Sequence, residues 1–140
     1  MIGFFFSQDN GKMEEEGNMN IEVLEPMFSI CKITNLTKIN IQDSFFFLAK
    51  TNEEMSLVCP TESVPEGTIE QVNHYKGMRI QGTLDFSLVG IIADISSILT
   101  NQKISIFVVS TYNTDYIFIQ EKQLYYAVKA LGDEGYHILV

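Results

Sequence analysis

The 140-residue chain contains no tryptophan, a single arginine (Arg79), two histidines, two cysteines and three prolines. Each scarcity closes a class of function. Metal sites need His, Cys or carboxylate ligands at close spacing, and His74, His137, Cys31 and Cys59 are scattered, so no metal site is expected. A serine or cysteine nucleophile needs a histidine base in reach; His74 falls in a polar stretch and His137 at the last predicted strand, so no catalytic residue is assigned. Neither a Gly-Lys-Ser/Thr phosphate loop nor a Gly-x-Gly-x-x-Gly fingerprint occurs, and no cofactor is expected. No apolar run approaches the ~18 residues of a membrane helix. The apolar cluster Ile2–Phe6 is short and has no basic residue before it, unlike an export signal. A soluble, cytoplasmic protein without a membrane partner is the expectation. Positive charge is scarce as well: nine basic against eighteen acidic residues give a net charge of −9, which repels a phosphate backbone, so nucleic acid is not an expected partner.

What is present is an ordinary globular composition, 46% hydrophobic and 19% charged, in a length that suits one domain or two very small ones. Residues 1–19 show neither helical nor strand period and read as a disordered tail, with Met13 or Met19 as alternative starts. From Ile21 the pattern is β-like: Met27-Phe28-Ser29-Ile30-Cys31-Lys32-Ile33 alternates, and Ser44–Thr51 with Met55–Pro60 form a hairpin. Cys31 and Cys59 sit in these apolar runs, where a free cysteine behaves as a small buried hydrophobe. The Asn/Thr-rich stretch from Thr34 to Asp43 lacks helix formers, and Pro65 and Gly67 break the stretch from Pro60 to Tyr75.

The second half is more regular. Met78–Leu84 reads as a strand. Leu88, Ile91, Ile92, Ile95, Ile98 and Leu99 share one helical face, which predicts a helix over Ser87–Asn101. Lys103–Thr111 and Asp115–Gln120 are predicted strands; Leu124, Ala127, Val128 and Leu131 mark a second helix ending at Gly132 or Gly135; Tyr136–Val140 is a last strand. The resulting order, β-α-β-β-α-β, is the ferredoxin-like α+β arrangement. Phe47–Thr51 followed by Glu54–Val58 echoes Phe107–Thr111 followed by Asp115–Ile119, with one inserted turn residue in the second copy. Two repeated units sharing one layered core are therefore expected.

Acylphosphatases have this strand order, but their strand-to-helix loop ends in a catalytic arginine. Here the loop reads Ile80-Gln81-Gly82-Thr83-Leu84-Asp85-Phe86, and Arg79 precedes it and alternates away from it. The turn Asp85, Phe86, Ser87, Leu88, Val89, Gly90, Ile91 has a plain reading as a capped helix start. It also has a functional one, because unpaired N–H groups at a helix N-terminus suit a carboxylate. The turn Ser110, Thr111, Tyr112, Asn113, Thr114, Asp115 offers hydroxyls and one carboxylate for an ammonium or a basic side chain. Asp115 is equally open to a plain turn role, capping local N–H groups.

The run Ile80–Ile91, together with Ile104-Ser105-Ile106-Phe107-Val108-Val109-Ser110-Thr111-Tyr112-Asn113-Thr114-Asp115-Tyr116, resembles the small bacterial tandem ACT-domain proteins, related to the ACT halves of eukaryotic cytosolic arginine sensors. Thr51–Cys59 is similar to the hairpin of a first ACT unit. The resemblance implies two ACT units, an altered one over 20–75 and a second over 76–140. It also implies regulatory binding of an amino acid or similar small ligand at an ACT–ACT interface, a homodimer and no catalysis. Asp85–Ile91 and Ser110–Asp115 match the family's ligand-contacting segments. The first unit has a weak helix and no Gly in its Asn35–Ile41 loop, which departs from the pattern. An oligomerisation or protein-interaction module with a vestigial pocket is the alternative function.

Overall fold

A computed structural model describes residues 19–43, 45–81 and 90–140. The chain divides into two compact units, one of residues 25–75 and one of the residues up to 24 together with 76–140.

In the unit of residues 25–75, strands β1 (Asn20–Ile33), β2 (Phe47–Lys50), β3 (Met55–Pro60) and β4 (Glu70–Gln81) lie in the order β2-β3-β1-β4. This is the ferredoxin-like order, with the last strand beside the first. β3 pairs antiparallel with both neighbours, Ile33 facing Met55 on β1 and Lys50 facing Met55 on β2. Both crossovers that carry helices in such a fold are reduced to 3₁₀ turns, Leu36–Lys38 and Thr61–Ser63. The Asn and Thr side chains explain the first, because they bond to nearby backbone in competition with a helix. Asn35 Oδ1 accepts from the Thr37 N–H at 2.9 Å and Asn40 Oδ1 from the Gln42 N–H at 3.0 Å. Cys31, Ile33, Leu57 and Cys59 form the core, packed by Ile39, Phe46, Met55 and Val64. Both cysteines are free and buried. Burial pushes both thiols up, Cys59 to about 12 with help from the adjacent Cys31, so neither is ionised near neutrality. The buried Ser29 hydroxyl is satisfied by Asn73 Oδ1 at 2.6 Å and Thr61 Oγ1 at 2.9 Å.

The other unit is built from the start of β1, the end of β4, helix α1 (Ile91–Asn101), β5 (Phe107–Ser110), β6 (Asp115–Gln120), helix α2 (Leu124–Asp133) and β7 (His137–Leu139). Its strand order is β7-β1-β4-β6-β5. The expected β-α-β-β-α-β order is present with one strand more: β1 lies between β7 and β4, pairing parallel with β7 from Asn20↔His137 to Glu22↔Leu139. α1 buries Ile91, Ile92, Ile95 and Leu99, α2 buries Ala127 and Leu131, and both pack on Ile21, Met78, Ile80, Ile117 and Ile119. Apolar residues three and four apart put one face of each helix on the sheet.

Both helices end in the same hydrogen-bond pattern. Ile104 N–H bonds Leu99 O at 2.9 Å and Lys103 N–H bonds Thr100 O at 2.8 Å; Tyr136 N–H bonds Leu131 O at 3.1 Å and Gly135 N–H bonds Gly132 O at 3.0 Å. The left-handed residue this pattern needs is Gly135 (φ 102) after α2 but Lys103 (φ 61) after α1. A side chain in that conformation is strained. Lys103→Gly is therefore expected to stabilise the protein by about 0.5–1 kcal/mol in urea denaturation, while a loss of stability would show that the lysine side chain supports the cap.

Several elements differ from the sequence reading. α1 is described from Ile91, the expected stretch from Ser87 to Val89 lying outside the described residues, and β5 begins at Phe107, not Lys103, because residues 102–104 form the cap of α1. β4 begins at Glu70, not Met78; its first residues are polar and exposed, and His74 at φ 70 interrupts the extended run, so no alternation marks it. Met19, read as the end of the tail, is only 5% exposed and belongs to the core beside Ile21; residues 1–18 lie outside the described residues. The two hairpins need no inserted residue. Phe47↔Val58 and Lys50↔Met55 recur as Phe107↔Phe118 and Ser110↔Asp115, a constant offset of 60 that extends to the 3₁₀ turns at 61–63 and 121–123. Matching acidic Glu54 to acidic Asp115 misplaces the register by one residue.

Candidate functional site

The site is assembled at one end of the sheet in the unit containing both helices. Thr114 Oγ1 donates to the carbonyl of Ile80 at 2.5 Å, while further down the same strands Gly77 lies against Phe118. β4 and β6 thus run antiparallel, and the β5–β6 hairpin sits at the end of β4 from which the chain continues towards α1. That helix begins after Gly90, whose φ of 93 is left-handed and which has no side chain to cap it. The first helical bond is Asp94 N–H to Gly90 O at 2.9 Å, and Gly90, having no side chain, caps none of the first-turn N–H groups. Asp94 Oδ2 accepts from the Tyr136 hydroxyl at 2.5 Å, tying the first turn of α1 to the entry of β7.

The hairpin is internally bonded. Thr111 N–H bonds Thr114 O at 2.8 Å, and the Thr111 hydroxyl donates to Thr114 O at 3.1 Å and accepts from Thr114 N–H at 3.3 Å. The Ser110 hydroxyl donates to Asp115 Oδ1 directly across the pair. Ser110 and Asp115 alternate onto the face of Val108, Ile117 and Ile119, which is the face covered by the helices. The Asp115 carboxylate therefore stands on the side of the sheet where α1 begins, with Oδ1 fixed by Ser110.

Of the expected site residues, Asp85, Phe86, Ser87, Leu88 and Val89 lie outside the described residues. Gly90 is the helix cap itself. The Ile91 side chain is buried in the core, so only its backbone is available. Thr111 and Thr114 spend their hydroxyls on the turn and on β4, and Tyr112 and Asn113 are exposed at the tip. Asp115 Oδ1 accepts from the Ser110 hydroxyl, a local bond within the hairpin. Asp94 and Tyr136 escaped the sequence reading, since their contact spans 42 residues and no spacing signals it. In the other unit, at the offset of 60, Lys50 and Met55 stand where this one has Ser110 and Asp115, and the preceding crossover has a 3₁₀ turn capped by Asn35. Among the described residues no group of three His, Cys, Asp or Glu is placed to hold a metal.

The family model of the ACT domain matches residues 70–133. No curated protein matches the chain. Among solved structures, a protein of Agrobacterium tumefaciens is similar with a TM-score of 0.77 at 22% identity, over 86% of this chain and 92% of that one. A protein of unknown function from Vibrio cholerae, a possible transport protein, follows with a TM-score of 0.65 at 20% identity, over 85% and 91%. The regulatory subunit of aspartate kinase from Thermus thermophilus, in ligand-free form, is similar with a TM-score of 0.54 at 10% identity, over 81% and 95%. At these identities the likeness is one of fold: ferredoxin-like, of the ACT type.

Proposed function

We propose that this chain is a non-enzymatic regulatory protein that senses an amino acid or similar small ligand through its helix-bearing unit. The ligand carboxylate is held by N–H groups at the start of α1, and its ammonium or basic side chain by Asp115. What supports this reading is a helix start capped only by a glycine among the described residues, together with a carboxylate oriented by Ser110 on the sheet face that the helices cover. N–H groups left open at a helix N-terminus favour an anion, and a carboxylate on the same face favours a cation, which together match a zwitterion. Support from kinship comes from the ACT model over residues 70–133 and from the fold shared with a regulatory subunit of aspartate kinase. The resemblance to tandem ACT proteins and to arginine sensors adds Asp85–Val89 to the proposed contacts, an ACT–ACT interface in a homodimer as the setting, and a cytoplasmic location. Residues 25–75 are then a second, altered ACT unit. With Lys50 in place of Ser110 and Met55 in place of Asp115, that unit lacks the cation-binding half of the site, so one type of pocket is proposed.

Calorimetry on the wild type and Asp115→Asn, with arginine and lysine against leucine and glutamine, tests this. Loss of a charge-assisted bond to a shielded cation costs about 1.5–3 kcal/mol, so the basic ligands are expected to lose roughly one to two decades of affinity and the neutral ones less. Equal losses for all four assign Asp115 to the α-ammonium that every one of these ligands carries, and no loss for any of them removes Asp115 from the site. Absence of any thermal stabilisation by the twenty amino acids at millimolar concentration overturns the reading altogether.

A further inference from the structure

The outer face of α2 carries a pattern that the ligand site does not use. Lys122, on the 3₁₀ turn that runs straight into the helix, is followed at three- and four-residue spacing by Tyr125, Tyr126, Lys129 and Asp133, on the side opposite the buried Ala127 and Leu131. All five are exposed. Charged residues on a solvent-facing stripe are ordinary, but two adjacent aromatic rings are not. Tyr125 and Tyr126 stand 69% and 61% exposed and hold each other edge to face, with centroids 5.3 Å apart. Such an aromatic ridge suits a protein contact, because the rings supply apolar area while the hydroxyls tolerate water.

The charges beside the ridge fit a second copy of the same helix. Lys122 joins no ion pair among the described residues, and Asp133 meets only Lys129, at 3.4 Å between exposed side chains, a weak pair. Let two copies of α2 pack antiparallel about a twofold axis at the level of Ala127 and Val128, halfway between Lys122 and Asp133. Each Lys122 then faces the second copy's Asp133, and each Tyr126 ring faces the second copy's Lys129. Glu121 and Glu134 lie off the stripe on opposite flanks of the helix, so no like charges meet.

We propose that the outer face of α2 is a homodimer contact, on which a second copy of this chain packs its own α2 antiparallel. The chemistry is removal of the tyrosine rings from water, two Lys122–Asp133 ion pairs and two lysine ammonium groups over tyrosine rings. The inference is independent of the amino-acid site.

Sedimentation velocity of the full chain in buffer free of amino acids, from micromolar to millimolar concentration, is expected to show a passage from monomer to dimer. Lys122→Asp and Asp133→Lys are each expected to raise the dimer Kd about tenfold or more, since each sets two like-charged pairs across the twofold axis. Neither change weakens the helix, because an acid near its N-terminus and a base near its C-terminus both suit its dipole; unchanged thermal melting of the monomer checks this. An equimolar mixture of the two variants is expected to dimerise to within about threefold of the wild type, because every cross-copy pair then joins opposite charges again. Tyr126→Ala is expected to weaken the dimer about tenfold as well. The proposal is overturned by a chain that stays monomeric throughout, by a dimer that neither charge variant weakens, or by a mixture that associates no better than either variant alone.

Discussion

Ile21→Ala is expected to destabilise the helix-bearing unit by about 2–5 kcal/mol, the cost of a large-to-small change in a core that cannot collapse around the cavity. Ile21 is fully buried, packs among the residues that α1 and α2 cover, and pairs with Ile138 on β7. Its strand is paired on both sides, by β7 and by β4, so the neighbours cannot close in. Against a typical total of about 5–15 kcal/mol, that is a large fraction. Deleting residues 19–24 removes both Met19 and Ile21 from this core and leaves β7 without its partner. The unit is then expected to lose its cooperative unfolding transition in urea, followed by far-ultraviolet circular dichroism. An Ile21→Ala loss below about 1 kcal/mol would mean that the β1 segment merely decorates the edge of a sheet that β4–β7 complete alone.

Gly77→Ala is expected to cost about 1–3 kcal/mol, although the change is a single methyl group. A Cβ at this position meets Phe118 Cε1 at 2.8 Å and Leu24 Cδ1 at 3.2 Å. The Phe118 ring is fully buried and packs against Phe107 with centroids 6.0 Å apart, so it has little room to retreat. The double variant Gly77→Ala with Phe118→Leu separates the cause: if the clash is with the ring, the glycine substitution costs less in the leucine background than in the wild type. Equal costs in both backgrounds would assign the effect to backbone freedom of glycine.

Much of the helix-bearing unit could be read directly. Apolar spacing in Ile91–Leu99 and Leu124–Leu131 located both helices to within a turn, and alternation in Asp115–Gln120 located β6. In the same way the Asn/Thr-rich Thr34–Asp43 stretch announced that its crossover would carry no proper helix. The polar half of β4 escaped, because Glu70–His74 is held by ladder hydrogen bonds and not by burial, and periodicity reports only burial. Asp115 was visible as a candidate, whereas its orientation by Ser110 was not, since Ser110 becomes its neighbour only through the hairpin register.

By itself, then, the sequence determined what its local periods encode: an α+β chain, a hairpin that occurs twice, two amphipathic helices in the second half, and a net negative charge. Tertiary structure alone decided which strands are neighbours. The placement of β1 between β7 and β4 and the contact of Thr114 with the end of β4 depend on pairings between residues far apart in sequence. The physical reason is that strand pairing is set by hydrogen bonds and side-chain packing between distant segments, whose partners leave no trace in either segment's own period.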